Sequence, residues 1–204
     1  MDRIYNITLM MKLAEWNDKL EIGSLLYSII DEIGKEKIQS DITSDIRLSR
    51  YYIKLIFDKC EKHVEGTDEE SIGTFCEALL HFMLTVCTLP SARKIEFNNV
   101  ALDIVIPNLY TLKNSSDKAL VIQIAKDTKD DMQAEINNVA RLQPNDQNLW
   151  LISKYPLSIT RINYAVYPEG KAIPSLERRD YSDIIVDIHN FLEKTGDKSL
   201  RLFQ

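Results

Sequence analysis

Residues 101–127 read ALDIVIPNLYTLKNSSDKALVIQIAKD, two short apolar runs on either side of a polar loop. Runs this short, bounded by turn-type residues, predict two strands, VALDIVIP and ALVIQIAK, joined by the loop NLYTLKNSSDK. Each run carries groups that a buried strand avoids. Asp103 lies inside the first, Gln123 lies in the second and Lys126 ends it. An unpaired charge in a buried strand is strongly destabilising. A chain that places a carboxylate, an amide and an ammonium on successive strands must therefore fold so that they find partners or perform chemistry.

The flanking elements set the frame. ESIGTFCEALLHFMLTVCTL predicts a helix ended by Pro90, and RKIEFNN predicts a strand turning at Asn98–Asn99 into VALDIVIP. After the third strand, DTKDDMQAEINNVARL predicts a helix with acidic residues toward its N-terminal end. PNDQ breaks the chain, NLWLISKYPLS predicts a fourth strand and RINYAVYP a fifth. DYSDIIVDIHNFLEKTG predicts a closing helix with Gly196 at its end. From about residue 69 the order is α-β-β-β-α-β, followed by a strand and a helix, a mixed α/β fold.

Residues 1–65 read as a helical extension, separated from an α/β domain at 69–204 by the polar segment EGTDEE. EWNDKLEIGSLLYSIIDEIGKEKI places Leu20, Ile22, Leu25, Leu26, Ile29, Ile30 and Ile33 near one stripe. A second helix is expected to start at the cap-type residues of SDITSD and to carry Ile46, Ile53, Ile56 and Phe57. So much apolar surface is expected to pack on the sheet or to form a two-fold dimer, and the extension could also cover the site.

The net charge of −6 gives no global basic field, which argues against strong non-specific attraction to nucleic acid but leaves room for a local basic groove. Cys60, Cys76 and Cys87 form no CxxC and are odd in number, so buried free thiols in a reducing cytoplasm are expected. His63, His81 and His189 match no metal motif. The N-terminal MDRIYNITLMMKLAEW lacks a signal-peptide core, and no run reaches membrane-spanning length, so no membrane partner is expected.

Gly73 and Glu77 form G-x-x-x-E in the helix before the strands, Asp103 lies in the second strand and Lys126 ends the third. Over about residues 69–155 this resembles the PD-(D/E)XK nuclease superfamily, and within it the archaeal Holliday junction resolvases and RecB-like nucleases. The resemblance implies a restriction-endonuclease-like α-β-β-β-α-β core that cleaves DNA phosphodiesters, including branched or damaged duplexes, with Mg²⁺ or Mn²⁺. Hard divalent cations take carboxylate oxygens and stabilise charge developing on the phosphate, while a nearby lysine positions water or stabilises the transition state. By position, Asp103 matches the family's strand aspartate, Lys126 its lysine and Glu77 its helix glutamate.

The third-strand acid is missing. Ile124 stands two residues before Lys126, and Gln123, three before, is the remaining candidate ligand beside Asp103 and Glu77. Strand side chains alternate, so Gln123 and Lys126 share a face only if the strand bulges at Ala125. Each residue also has a plainer reading: Asp103 accepting backbone hydrogen bonds, Gln123 a core amide, Lys126 an exposed strand end, Glu77 a solvated helix residue. The rival function is accordingly a non-catalytic nuclease-fold module that binds a protein or DNA.

Arg161, Arg178 and Arg179 lie near aromatic residues and are either phosphate contacts or a solvated surface. Lys154 and Tyr155 follow the fourth strand, at the same end as Lys126 in the family's topology. The C-terminal SLRLFQ resembles the tails by which archaeal repair enzymes bind the sliding clamp, with Asp197 where a glutamine is expected; packing on the domain is the alternative. The Ile-rich composition and the resolvase likeness suggest an archaeal or archaeal-virus source.

Overall fold

Four helices open the described part of the chain. The computed structural model describes residues 23–64, 69–125, 129–158, 161–168 and 178–196. Helix α1 runs through 23–33, α2 spans Lys35–Ser44, α3 Leu48–Val64 and α4 Glu69–Val86. The sequence suggests one helix through 15–38 and another from Ser40. The chain instead breaks at Gly34, whose φ of 96° carries no Cβ penalty, and again near Asp45. The Asp45 carboxylate accepts from the Arg47 backbone N–H at 3.0 Å and pairs with its guanidinium, so Ser40–Ser44 close α2 rather than open α3.

Leu26, Ile29 and Ile30 of α1, Ile38 and Ile42 of α2, and Ile53 and Ile56 of α3 are buried in one core with α4 and one face of the sheet. The described part of the apolar stripe is therefore covered within the chain; Leu20 and Ile22 lie outside the described residues.

Among the described residues the sheet has six strands in chain order: β1 Ala92–Phe97, β2 Val100–Ile106, β3 Leu120–Ile124, β4 Leu149–Ser153, β5 Ile162–Ala165 and β6 Arg178–Asp180. β1, β2 and β3 pair antiparallel, and β3 to β6 pair parallel. The β1–β2 hairpin closes at Phe97↔Val100 over Asn98 and Asn99, at φ 52° and 59°. These positive values suit a two-residue turn matched to strand twist, which asparagine tolerates. β6 is too short to show a period in the sequence. Helix α5, Leu109–Asn114, forms inside the expected loop because Asn108 caps it, accepting from the Thr111 N–H at 2.9 Å, and Leu112 buries.

Helix α6, Lys129–Ala140, and α5 cover one face of the sheet; α1–α4 and α7, Ile184–Thr195, cover the other. Gly196 ends α7 at φ 72°, as its position in the sequence suggests. β3 and β4 are buried at every position, as central parallel strands are. Because β3 to β6 run parallel, their C-terminal ends align along one edge of the sheet, where Gln123 stands. Among the described residues no helix is long and apolar enough to cross a membrane. All three cysteines are free, and burial pushes the Cys60 thiol up to about 11 and the Cys87 thiol to about 12.

Candidate active site

β2 and β3 part at Asp103. Their paired register runs from Ile106↔Leu120 to Ile104↔Ile122, and at the next rung side chains replace the backbone ladder. The Asp103 backbone N–H donates to Gln123 Oε1 at 2.8 Å, and the Ile124 N–H donates to Asp103 Oδ2 at 2.8 Å. Gln123 Nε2 donates to Glu135 Oε1 at 2.7 Å and to the Ala101 carbonyl at 3.3 Å. The polar groups in the apolar runs thus satisfy the backbone where the strands diverge.

This arrangement brings in a residue that sequence reasoning missed. Glu135 lies on α6, four residues before the buried Val139 and next to the buried Ile136, on the helix face turned to the sheet. That placement was the available signal: a carboxylate on the apolar stripe of the helix that follows β3.

Alternation in β2 slips at the same point. Ile104 and Ile106 pack on the α4 side, while Leu102 and Val105 both pack on the α6 side. In β3 alternation holds: Ile122 and Ile124 face the α4 side, Val121 and Ala125 the α6 side. The Ala125 N–H continues the parallel ladder to the Ile152 carbonyl at 2.8 Å. Lys126, which the bulge at Ala125 would turn toward Gln123, lies outside the described residues.

Glu77 is buried on α4, where its Oε1 lies 3.2 Å from Nη2 of Arg93 and 3.3 Å from Nζ of Lys94 on β1. His81, one turn along α4, is held below its ordinary pKa by burial and by the Arg93 charge, with Glu77 opposing. Arg161 pairs with Asp146, and Arg179 binds Asp187 at 2.8 Å and the Tyr164 hydroxyl at 3.2 Å. Lys154 lies over the Tyr155 ring, 5.3 Å from its centroid, and Tyr155 stands 5.8 Å from Tyr167 at the ends of β4 and β5.

Among the described residues no three His, Cys, Asp or Glu side chains are grouped to hold a metal ion. The Gln123 amide links the Asp103 backbone N–H to the Glu135 carboxylate, which brings two acidic residues to the parted strands, and Mg²⁺ is commonly held by one or two carboxylates with substrate phosphates and water completing the shell. Carboxylate oxygens are the donor type that a hard divalent cation takes. Gln123 anchors the Glu135 carboxylate through Nε2 and the Asp103 backbone through Oε1, while the Ile124 N–H holds the Asp103 carboxylate.

No family model and no curated protein matches the chain. Solved structures do. Metal-depleted Ecl18kI in complex with uncleaved, modified DNA superposes with a TM-score of 0.56 at 10% identity, over 86% of this chain and 80% of that one. The restriction endonuclease PspGI in its substrate DNA complex superposes at 0.52 and 13% identity, over 85% and 93%. The fold is restriction-endonuclease-like. These structural neighbours are type II restriction endonucleases of the PD-(D/E)XK superfamily, and the modest match, at 85–86% of the chain, takes in part of the N-terminal region that the sequence resemblance left out.

Proposed function

We propose that this restriction-endonuclease-like chain is a divalent-metal-dependent nuclease acting on DNA at the parting of β2 and β3. The observation that carries the reading is the link from the Asp103 backbone N–H through the Gln123 amide to the Glu135 carboxylate, which brings two acidic residues to an opened strand pair. The DNA complexes of Ecl18kI and PspGI support a DNA substrate. Bound Mg²⁺ or Mn²⁺ would supply Lewis-acid stabilisation of the phosphate and a more acidic water. Asp103 and Glu135 would hold it, with the Ile124 N–H orienting the Asp103 carboxylate and the Gln123 amide the Glu135 carboxylate, and Lys126, by the family resemblance, positions the attacking water. Branched or damaged duplexes and a two-fold dimer belong to this reading on the sequence resemblance.

The second reading is a DNA- or protein-binding module without catalysis. It is favoured by Ile124, which fills the position of the family's acid with a buried apolar side chain.

The test is nicking of linear and four-way branched DNA with Mg²⁺ and with Mn²⁺, beside metal titration followed by heat. Wild type is expected to cleave, better with Mn²⁺, which binds nitrogen and oxygen sites more tightly than Mg²⁺ does. Asp103→Asn and Glu135→Gln are expected to lose cleavage and metal binding together. A wild-type chain that binds DNA, takes no metal and leaves every substrate intact selects the binding module.

A further inference from the structure

Arg93 and Lys94 are consecutive residues of a strand and should send their side chains to opposite faces. Both nevertheless reach the same oxygen of Glu77, at 3.2 and 3.3 Å. The device is the backbone of Lys94, whose φ of 47° lies in the left-handed region. A non-glycine residue rarely sits there within a strand, and strain of this kind concentrates at functional sites. The register places it: Arg93 pairs with Ile104 and Ile95 with Leu102, so Lys94 lies opposite Asp103.

One cation suffices to neutralise Glu77. Arg93, with 26% of its side chain exposed, sits over the 6%-exposed carboxylate, whereas 69% of the Lys94 side chain remains in solvent. The strained backbone therefore holds a second, accessible ammonium one strand away from the carboxylate at the parted strands. The Lys94 ammonium rests on the α4 side, at Glu77, while the residue's backbone lies opposite Asp103. A duplex backbone that reaches the parted strands would therefore pass an exposed cation on the neighbouring strand, and lysines that contact backbone phosphates set register without reading sequence.

Resting on the nuclease reading, we propose that Lys94 is a phosphate-contacting residue of the site, its ammonium parked on Glu77 and transferred to a DNA backbone phosphate on binding. Glu77 is then the holder of this cation, and the left-handed turn of β1 is what brings Lys94 round to it.

The experiment measures binding of a fluorescent duplex by anisotropy across a salt series, with Ca²⁺ in place of a metal that supports cleavage. The full chain is compared with Lys94→Asn, Lys94→Gly and Lys94→Arg. Asparagine tolerates the left-handed backbone and glycine adopts it freely, so both remove the charge with little backbone penalty. The expected result is that Asn and Gly weaken binding uniformly across duplex sequences. They also make the slope of log K against log salt shallower by about 0.9, the loss of one phosphate contact. Arginine keeps the wild-type slope. If Lys94 serves only to neutralise Glu77, Asn and Gly lower the unfolding temperature and leave the slope as in wild type, which overturns the proposal while the nuclease reading stands. If wild type itself binds no duplex at any salt, the nuclease reading fails and takes this inference with it.

Discussion

Asp103 and Gln123 cross-brace the two strands that part between them: Gln123 Oε1 takes the Asp103 N–H at 2.8 Å, and Asp103 Oδ2 takes the N–H of Ile124, also at 2.8 Å. The two roles of Asp103, acceptor for a backbone donor and carboxylate of the site, can be separated. Asp103→Ala leaves the buried Ile124 N–H without this acceptor, and stability should fall by about 1–3 kcal/mol. Asp103→Asn keeps an acceptor oxygen and should retain most of the stability while losing metal-dependent cleavage. Urea unfolding and nicking assays on the same two variants check both halves.

Gln123→Glu tests the amide that joins the Asp103 backbone to the Glu135 carboxylate. The donor to Glu135 at 2.7 Å and to the Ala101 carbonyl disappears, and two carboxylates face each other. Without metal the variant should lose roughly 1–3 kcal/mol near neutral pH, since a part-buried like-charge contact replaces a hydrogen bond. Proximity raises the carboxyl pKa of the pair in the folded state, so this loss should be least in acid and grow as the pH rises. Millimolar Mn²⁺ should recover much of it. A variant as stable as wild type without metal would show that Gln123 and Glu135 are not in contact.

The contrast between Asp103 and Glu135 explains which parts of the site the sequence reveals. Asp103 and Gln123 interrupt apolar strands, where a polar group needs a reason, and so they stand out. Glu135 is one of several acidic residues in DTKDDMQAEINNVARL, and a glutamate on a helix is ordinarily solvated; only the fold turns it toward β3. The strand order, the Asn98–Asn99 turn and the Gly196 cap follow from local chemistry. The break at Gly34 does not, because the apolar residues on both sides of it continue to serve one core. The strain at Lys94 is also invisible in sequence, since nothing in RKIEFNN marks a left-handed lysine.

His81 gives the folded state a pH dependence. Burial first, then the Arg93 charge, lowers its pKa below the ordinary 6.5, and Glu77 offsets part of this. The unfolded chain therefore binds this proton more readily, and the penalty is absent above pH 6.5. Stability is lost as the pH falls below that value and levels off once the folded imidazole also protonates. His81→Gln should flatten that part of the profile. Urea midpoints at about pH 7.5 and about pH 5.5, which bracket imidazole titration, provide the check, and a difference between the two that is the same in wild type and variant refutes the assignment.

The two helix carboxylates, Glu77 on α4 and Glu135 on α6, should separate on metal titration. Glu135 contacts the Gln123 amide beside Asp103, whereas Glu77 faces Arg93 and Lys94. A ligand that binds only the folded state raises stability by RT ln(1 + [L]/Kd), about 2.7 kcal/mol at a hundredfold excess over Kd. In wild type, Mn²⁺ should therefore raise the unfolding temperature. Glu135→Gln should abolish most of that increase with little effect on the metal-free protein, because a glutamine can still accept from the Gln123 amide. Glu77→Gln should do the reverse: the metal-free protein loses stability, since Arg93 is half-buried and loses its charged partner, while the Mn²⁺-induced increase persists. Thermal unfolding of the three proteins with and without Mn²⁺ decides the matter. A metal response lost in Glu77→Gln and kept in Glu135→Gln would move the metal from the β3–α6 side of the sheet to the α4 side.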